Sequence, residues 1–439
     1  MFKWLRFEIL IPLIFIVGVA QYGGAAGTSA LQGDGALWQM DNATMEGAGI
    51  SRYVKDGFLL ILSISWPIYI KKLGLPRATT NLVGIYFIWV VLAISLGLIG
   101  AIFGDGSWIF IFAGLRWLML LHASFGVFLM TYSLPDKMGK HKSVIYCLIL
   151  LALLDLVVVM WQLRSGQAAF GVSFGQGRLT GLFNNAGVAG FFGLALALTG
   201  LQLDGASRKS RLVLSSAALV IALSTGTRSM IIGVFLVMMV QVLEGVESGS
   251  RRGIKDALMI LLIPILGVVA WVGYGWMIQT VDRGDIVEMQ LANGGRISNF
   301  VGMVDVLSTA EQIEFMFGRG LGIGTNTAYS MLAASGISPE GIRFNWLIDN
   351  AFLTQFFQFG LIGSLVFWVG VLFFAVTIRP GKYKRYRRRY LIAAVMFFVI
   401  LWAGNPFEHY FLMLPFAIAM GSVYWGGMAQ GRRNFVKLT

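Results

Sequence analysis

Ten basic residues stand apart from the positively charged clusters of this 439-residue chain: Arg52, Lys55, Arg116, Arg164, Arg178, Arg228, Arg283, Arg296, Arg319 and Arg343. All but one are Arg, whose planar, always-charged fork grips phosphate or carboxylate through two parallel hydrogen bonds. The bias therefore reads as anion recognition. Two of these arginines lie among small hydroxyl and amide residues, in Gly177-Arg178-Leu179-Thr180-Gly181-Leu182-Phe183-Asn184-Asn185 and in Ser224-Thr225-Gly226-Thr227-Arg228-Ser229. Such settings suit phosphate oxygens. Arg296 opens a segment in which Ile297, Phe300, Val301, Val304 and Leu307 recur at helical spacing with Asn299, Asp305 and Ser308 between them, which predicts an amphipathic helix. Arg319 belongs to Phe317-Gly318-Arg319-Gly320-Leu321-Gly322-Ile323-Gly324-Thr325-Asn326, with glycine at alternate positions. Glycines so spaced let the backbone turn tightly and offer successive N–H groups to an anion; they suit a close-packed turn equally well. Ordinary ion pairing with Asp282, Asp285, Asp305 or Glu314 is the competing use of any one of these arginines.

Groups able to take a proton from a hydroxyl stand at two places. Asp349 and Asn350 precede a long apolar run, and Glu408 and His409 close the short turn Gly404-Asn405-Pro406-Phe407-Glu408-His409. Asp349, Glu408 and His409 are the candidate catalytic bases. Other chemistries are set aside. The single Cys147 excludes an intrachain disulfide and any cysteine-cluster metal site, and His122, His141 and His409 are too scattered for a histidine metal cluster. Without a phosphate-binding Walker loop or a dinucleotide fingerprint, the chain gives no sign of ATP hydrolysis, and no cofactor or metal is expected.

The elements that must position these residues are membrane helices. Hydrophobic residues make up 57% of the chain and charged ones only 13%, with 33 Phe, 13 Trp and a mean hydropathy of +0.75. That is roughly half the ~25% charge of a soluble domain. Apolar runs predict twelve spans, at about 7–26, 57–70, 81–103, 108–132, 143–163, 186–203, 212–225, 230–243, 257–279, 351–378, 390–404 and 412–427. Alternating the loops between two sides collects 24 of the 34 basic residues on one side, including Arg379, Lys382, Lys384, Arg385, Arg387, Arg388 and Arg389. By the positive-inside rule that side is cytoplasmic and holds both termini; the seven-residue run is expected to anchor the topology beside anionic lipid. The net charge of +13 thus reports orientation and needs no nucleic-acid partner. The organisation expected is residues 1–279 as spans one to nine, 280–350 as an external helical loop subdomain, and 351–439 as spans ten to twelve with a cytoplasmic C-terminus. Arg116, His122 and Asp155 lie at membrane depth, where each must face a bundle interior or a cavity, as a structural pair or along a substrate path.

At these residues the chain resembles the O-antigen ligase and polymerase superfamily of bacterial envelope glycan assembly. The matching stretches are 177–185, Thr225-Gly226-Thr227-Arg228-Ser229, Gly295-Arg296 at the start of a helix, Phe317 to Gly324, Asp349-Asn350-Ala351-Phe352-Leu353, and Gln358-Phe359-Gly360-Leu361-Ile362-Gly363. The resemblance implies a fold of the GT-C type, all-α and polytopic, acting as a metal-independent glycosyltransferase on the periplasmic face of the inner membrane. It implies a glycan donor and acceptor held on undecaprenyl pyrophosphate, with a chain-length regulator and a flippase as further partners. Pyrophosphate binding carries over to Arg228 and Arg296, with Arg178 and Arg319 on the neighbouring motifs. Ligases of the superfamily place a His directly before the Asn of the 349–353 motif; this chain has Asp349 there, which favours a polymerase of O-antigen, capsule or exopolysaccharide over a ligase to lipid A core or protein. A transporter of lipid-linked sugar is the reading from another class, against which stands the absence of any visible repeat between the two halves.

Overall fold

The computed structural model describes residues 7–23, 49–71, 75–103, 108–131, 142–165, 179, 181–183, 186–202, 207–225, 227–247, 308–325, 328, 350–378, 380 and 383–438. Among them every regular element is helical. The helices are α1 (Phe7–Gly23), α2 (Gly49–Ile70), α3 (Arg77–Phe103), α4 (Trp108–Met130), α5 (Lys142–Ser165), α6 (Ala186–Gln202), α7 (Arg208–Thr225), α8 (Arg228–Glu247), the short α9 (Gln312–Phe317), α10 (Ala351–Thr377), α11 (Lys384–Ala403) and α12 (Tyr410–Leu438), with a 3-10 turn at Pro406–Glu408 before α12. Each apolar run of the sequence coincides with one of these helices except 257–279, which lies outside the described residues. So do the 280–307 part of the external loop and its amphipathic helix, up to Ser308.

Six of the helices contain stretches long and apolar enough to cross a membrane: Tyr53–Ile70, Thr79–Phe103, Phe110–Met130, Ser143–Gln162, Ala351–Thr377 and Tyr410–Ala429. Three shorter apolar segments, Ile9–Val19, Gly187–Gln202 and Ser229–Glu244, accompany them. Large apolar side chains on α2, α3, α5 and α10, such as Ile64, Ile88, Val157 and Val369, point away from the protein. An all-helical chain with long apolar helices and outward-facing Ile and Val has the composition of a membrane protein, whose solvent is hydrocarbon.

The bundle is built around α6 and α12. From Val188 to Gln202 every residue of α6 is buried, and it packs against α7, α8, α11 and α12. Its sequence, rich in Gly and Ala, explains this: small side chains let neighbouring backbones approach closely, which supplies the packing that apolar burial cannot supply between helices in lipid. At Gly193 a side chain would stand 3.1 Å from the carbonyl of Ala218 on α7. α12 packs on α4 and α6, α2 on α1 and α4, and α10 on α3.

Contacts between helix termini sort them into two ends. Lys55 and Arg116, in the first halves of α2 and α4, line one cavity with Glu408 and Tyr410 at the start of α12; the end of α7 meets the segment before α6 through Leu179 N–H donating to the Ser224 carbonyl at 3.1 Å; and Gly404, after α11, accepts from Ala351 N–H at 3.2 Å. The opposite end joins the end of α8 to the start of α11. There Arg389, 1% exposed, holds Glu244 with Nε–Oε1 at 2.8 Å and Nη2–Oε2 at 2.6 Å. Arg388 holds Glu247 with two bonds of 3.0 and 2.7 Å, which keep that carboxyl below the usual carboxylate range. The strongest basic run is therefore partly engaged in ion pairs within the chain, in addition to any role beside lipid. These contacts place the starts of α8 and α10 at the first end and the start of α11 at the second.

Candidate functional site

Three clusters occupy the end of the bundle that carries the starts of α2, α4, α6, α8, α10 and α12. The first joins two arginine-bearing motifs. Leu179 and Ser224 tie the 177–185 segment to the residues before α8, where Thr227 N–H donates to Thr225 Oγ1 at 3.3 Å. Beneath the segment, Asp155 of α5 is fully buried and accepts from Leu182 N–H at 2.6 Å, while Gln162, one face and two turns along the same helix, accepts from Gly181 N–H at 3.0 Å and donates to its carbonyl at 3.4 Å. Gly181 is left-handed (φ +60°), and a side chain there would stand 2.0 Å from Asp155 Oδ1. The polar group at membrane depth in α5 is thus a clamp on the backbone that follows Arg178. Arg178 and the side chain of Arg228 lie outside the described residues, as do Arg296 and Asp349; Arg228 itself opens α8.

The second cluster is the alternate-glycine segment, which enters the bundle between α3, α4 and α10. Gly318, Gly320, Gly322 and Gly324 all have positive φ. Their purpose follows from α10, which breaks at Gly360 (φ +62°) and so leaves carbonyls without their helical donors. Arg319 N–H donates to Phe357 O at 2.9 Å and Gly320 N–H to Gln358 O at 3.3 Å; Leu321 N–H reaches Gly97 O of α3 at 3.2 Å. At Gly322 a side chain would stand 1.9 Å from the Phe110 carbonyl, so only glycine fits. These amides serve the protein's own carbonyls, and the segment is a close-packed turn that repairs a broken helix. The Arg319 guanidinium, 3% exposed, pairs with Glu314 at 3.0 Å and lies 5.7 Å from the Phe357 ring. Its partner is the acid of α9, five residues earlier in the chain.

The third cluster gathers the candidate bases. Asn350 caps α10 by accepting from Leu353 N–H at 3.1 Å, and its side-chain amide donates to Trp402 O at 3.3 Å. With the Ala351–Gly404 bond, this seats the residue next to Asp349 on the end of α11, where the Asn405–His409 turn begins. In that turn Asn405 Nδ2 donates to Glu408 Oε1 at 2.7 Å. His409 lies against Phe191 of α6, with ring centroids 4.9 Å apart, and burial pushes its imidazole down to about 4, so it is neutral at physiological pH.

Glu408 borders a water-sized cavity of about 20 Å³, lined also by Lys55, Asp56, Arg116, Trp117 and Tyr410. Asp56 draws two cations together: Arg116 Nε lies 2.9 Å from its Oδ2 and Lys55 Nζ 3.5 Å from its Oδ1. Lys55 is 2% exposed and stands 4.6 Å from the centre of the Tyr410 ring. Sequence reasoning placed Lys55 and Arg116 among the cations that topology does not require but missed the site they share, and missed Asp56 altogether. The available signal was the adjacent Lys55-Asp56 pair at the boundary of an apolar run, with an arginine at matching depth in α4. Trp117 links this cavity to the glycine segment, because its indole N–H donates to Gln358 Oε1 at 3.1 Å while Gln358 Nε2 donates to Ile323 O at 3.1 Å. His122 lies further along α4, and its Nδ1 meets Tyr86 OH at 3.2 Å, a structural pairing.

Among the described residues no group of three or more His, Cys, Asp or Glu side chains is placed to hold a metal ion. Comparison of the chain with family models, curated proteins and solved structures finds no match.

Proposed function

We propose that this protein is a membrane glycosyltransferase of the GT-C type with twelve spans, which polymerises glycan repeat units carried on undecaprenyl pyrophosphate at the periplasmic face of the bacterial inner membrane. The observation that carries the reading is the gathering of Leu179, residues 181–183, Ser224, Thr225 and the start of α8 with Asn350, Glu408 and His409 at one end of the bundle. The basic clusters at the opposite end orient that site outward.

The chemistry asks little of the protein. The acceptor hydroxyl, on the non-reducing end of one lipid-linked repeat, attacks the anomeric carbon of the donor glycan. The bond from that carbon to the pyrophosphate oxygen breaks, and undecaprenyl pyrophosphate leaves with the electron pair. Arg228 and Arg296, assisted by Arg178, neutralise the leaving group, and a carboxylate takes the hydroxyl proton. Glu408 is the base this arrangement favours, since it borders the cavity beside Lys55 and Arg116 while His409 lies tilted against the Phe191 ring. Asp349, the residue before Asn350 in the chain, lies outside the described residues and stays a candidate by sequence alone. Arg319 acts within this account as a packing residue, because its partner is Glu314.

The test is reconstitution. Purified protein given a lipid-linked repeat unit alone is expected to build a polymer ladder. No reaction until lipid A core is supplied would mark a ligase, and transbilayer movement of intact lipid-linked sugar without new glycosidic bonds would mark a transporter.

A further inference from the structure

The ion pairs that join α8 to α11 at the basic end of the bundle leave that end positive. The start of α11 carries Lys384, Arg385, Arg387, Arg388 and Arg389 and the end of α8 carries Glu244 and Glu247, a surplus of three positive charges. The pairing is uneven. Arg388 and Arg389 make the close pairs, whereas Lys384 lies 3.7 Å from Glu247 with 81% of its side chain exposed, and Arg385 reaches Glu244 at 3.2 Å with 51% exposed. Each helix also carries exposed apolar residues that lead to this point. On α8 these are Met239 and Leu243, whose spacing brings Glu247 onto the same face; on α11 they are Leu391 and Val395, in line with Lys384. Because Lys384 and Glu247 meet, the two stripes flank the same side of the α8–α11 seam. The seam itself is closed, since a side chain at Gly233 of α8 would stand 3.0 Å from Met396 Sδ of α11.

We infer that this corner binds an anionic glycerophospholipid of the adjacent leaflet, its phosphate on Lys384 and Arg385 and its acyl chains along the two stripes. Length fits first. Eleven residues of α11 separate Lys384 from Val395, about 17 Å at ~1.5 Å per residue, which matches one leaflet of a hydrocarbon core roughly 30 Å thick. Charge selects the headgroup. A surplus of three attracts a lipid of net negative charge, whereas a choline lipid brings its own cation to the same place and loses that attraction. The Arg385 fork and the Lys384 ammonium both donate to phosphate oxygens. Glu244 and Glu247 act in two directions. They oppose the phosphate as like charges, Glu247 the more because it is half exposed, and they hold the cations in place, so less side-chain freedom is lost when the lipid arrives. The assignment needs only that α8 and α11 face lipid, and it stands or falls independently of the glycosyltransferase reading.

The experiment is native mass spectrometry of the detergent-purified full chain titrated with dioleoyl phosphatidylglycerol or dioleoyl phosphatidylcholine. The anionic lipid is expected to bind about tenfold more tightly than the choline lipid. Replacing both Lys384→Gln and Arg385→Gln should weaken the anionic lipid about tenfold or more, at roughly fivefold per cation, and leave the choline lipid unchanged. Glu247→Gln removes a competing carboxylate and should tighten the anionic lipid about two- to fivefold, a change opposite in sign to loss of structure. Lys71→Gln with Arg77→Gln removes as much charge from exposed positions of another basic cluster and should leave the affinity as it is. Glycerol 3-phosphate, a phosphate headgroup without chains, should not displace the lipid at equal concentration. The assignment is overturned if the two lipids bind alike, if the two double variants lose affinity equally, if Glu247→Gln weakens binding, or if glycerol 3-phosphate displaces the lipid. Circular dichroism and size-exclusion elution identify any variant that fails to fold, and Lys384→Gln alone, at an exposed site, is then expected to show the roughly fivefold loss.

Discussion

Replacing Asp155 tests whether a carboxylate at membrane depth acts as a backbone clamp. Asp155→Ala removes the acceptor 2.6 Å from Leu182 N–H and leaves that donor without a partner, at a cost of about 1–3 kcal/mol. Asp155→Asn retains an oxygen at the Oδ1 position and places an amide where Oδ2, buried and without a hydrogen-bond partner among the described residues, now stands. It is therefore expected to be near neutral. Gly181→Ala costs roughly 1–2 kcal/mol for its left-handed backbone, and its Cβ would also fall 2.0 Å from Asp155 Oδ1, forcing the clamp open. In an Asp155→Ala background that collision is absent. The two substitutions should then be coupled, the double variant being more stable than the sum of the singles by about 0.5–3 kcal/mol. Unfolding of the purified protein by SDS in mixed micelles measures all four stabilities. The reasoning is refuted if Asp155→Asn is as damaging as Asp155→Ala, or if Gly181→Ala costs the same in both backgrounds.

Two further outcomes follow from pairs and protons. Glu244→Ala leaves the fully buried Arg389 guanidinium without its carboxylate and should lower stability by about 3–5 kcal/mol in the same titration, whereas Glu247→Ala, at an exposed site, should produce no measurable change; equal effects would contradict the difference in burial. Because burial lowers the His409 imidazole from 6.5 to about 4, the unfolded chain binds this proton more readily than the folded one. Its contribution to stability is complete above about pH 6.5 and is lost as the pH falls toward 4, so His409→Gln should flatten the stability profile across that window.

The described helices were legible because each apolar run is continuous, and the structure moved mainly their ends. α7 and α11 start before their apolar runs, at Arg208 and Lys384, since basic residues continue a helix while their charged ends reach polar surroundings. The alternate glycines were legible as a chain with unusual backbone angles, but not their role: that depends on carbonyls freed by the break at Gly360, some forty residues later. Local pairing was open to inspection for Arg319 and Glu314, which are five residues apart. The Glu244–Arg389 and Asp56–Arg116 pairs join segments far apart in sequence, and no periodicity announces which distant charge a buried cation will meet. Glu408 and His409 were recognised by type and position, while the different surroundings that set one beside a cavity and the other against Phe191 arise only from helix packing.

The most direct measurement of the central claim is the length distribution of glycan made from lipid-linked repeat units by purified wild-type, Arg228→Ala and Arg296→Ala protein, with membrane abundance of each variant determined alongside. The account predicts a polymer ladder from wild type and none from either variant at normal abundance. Wild-type chain lengths from either variant would contradict it.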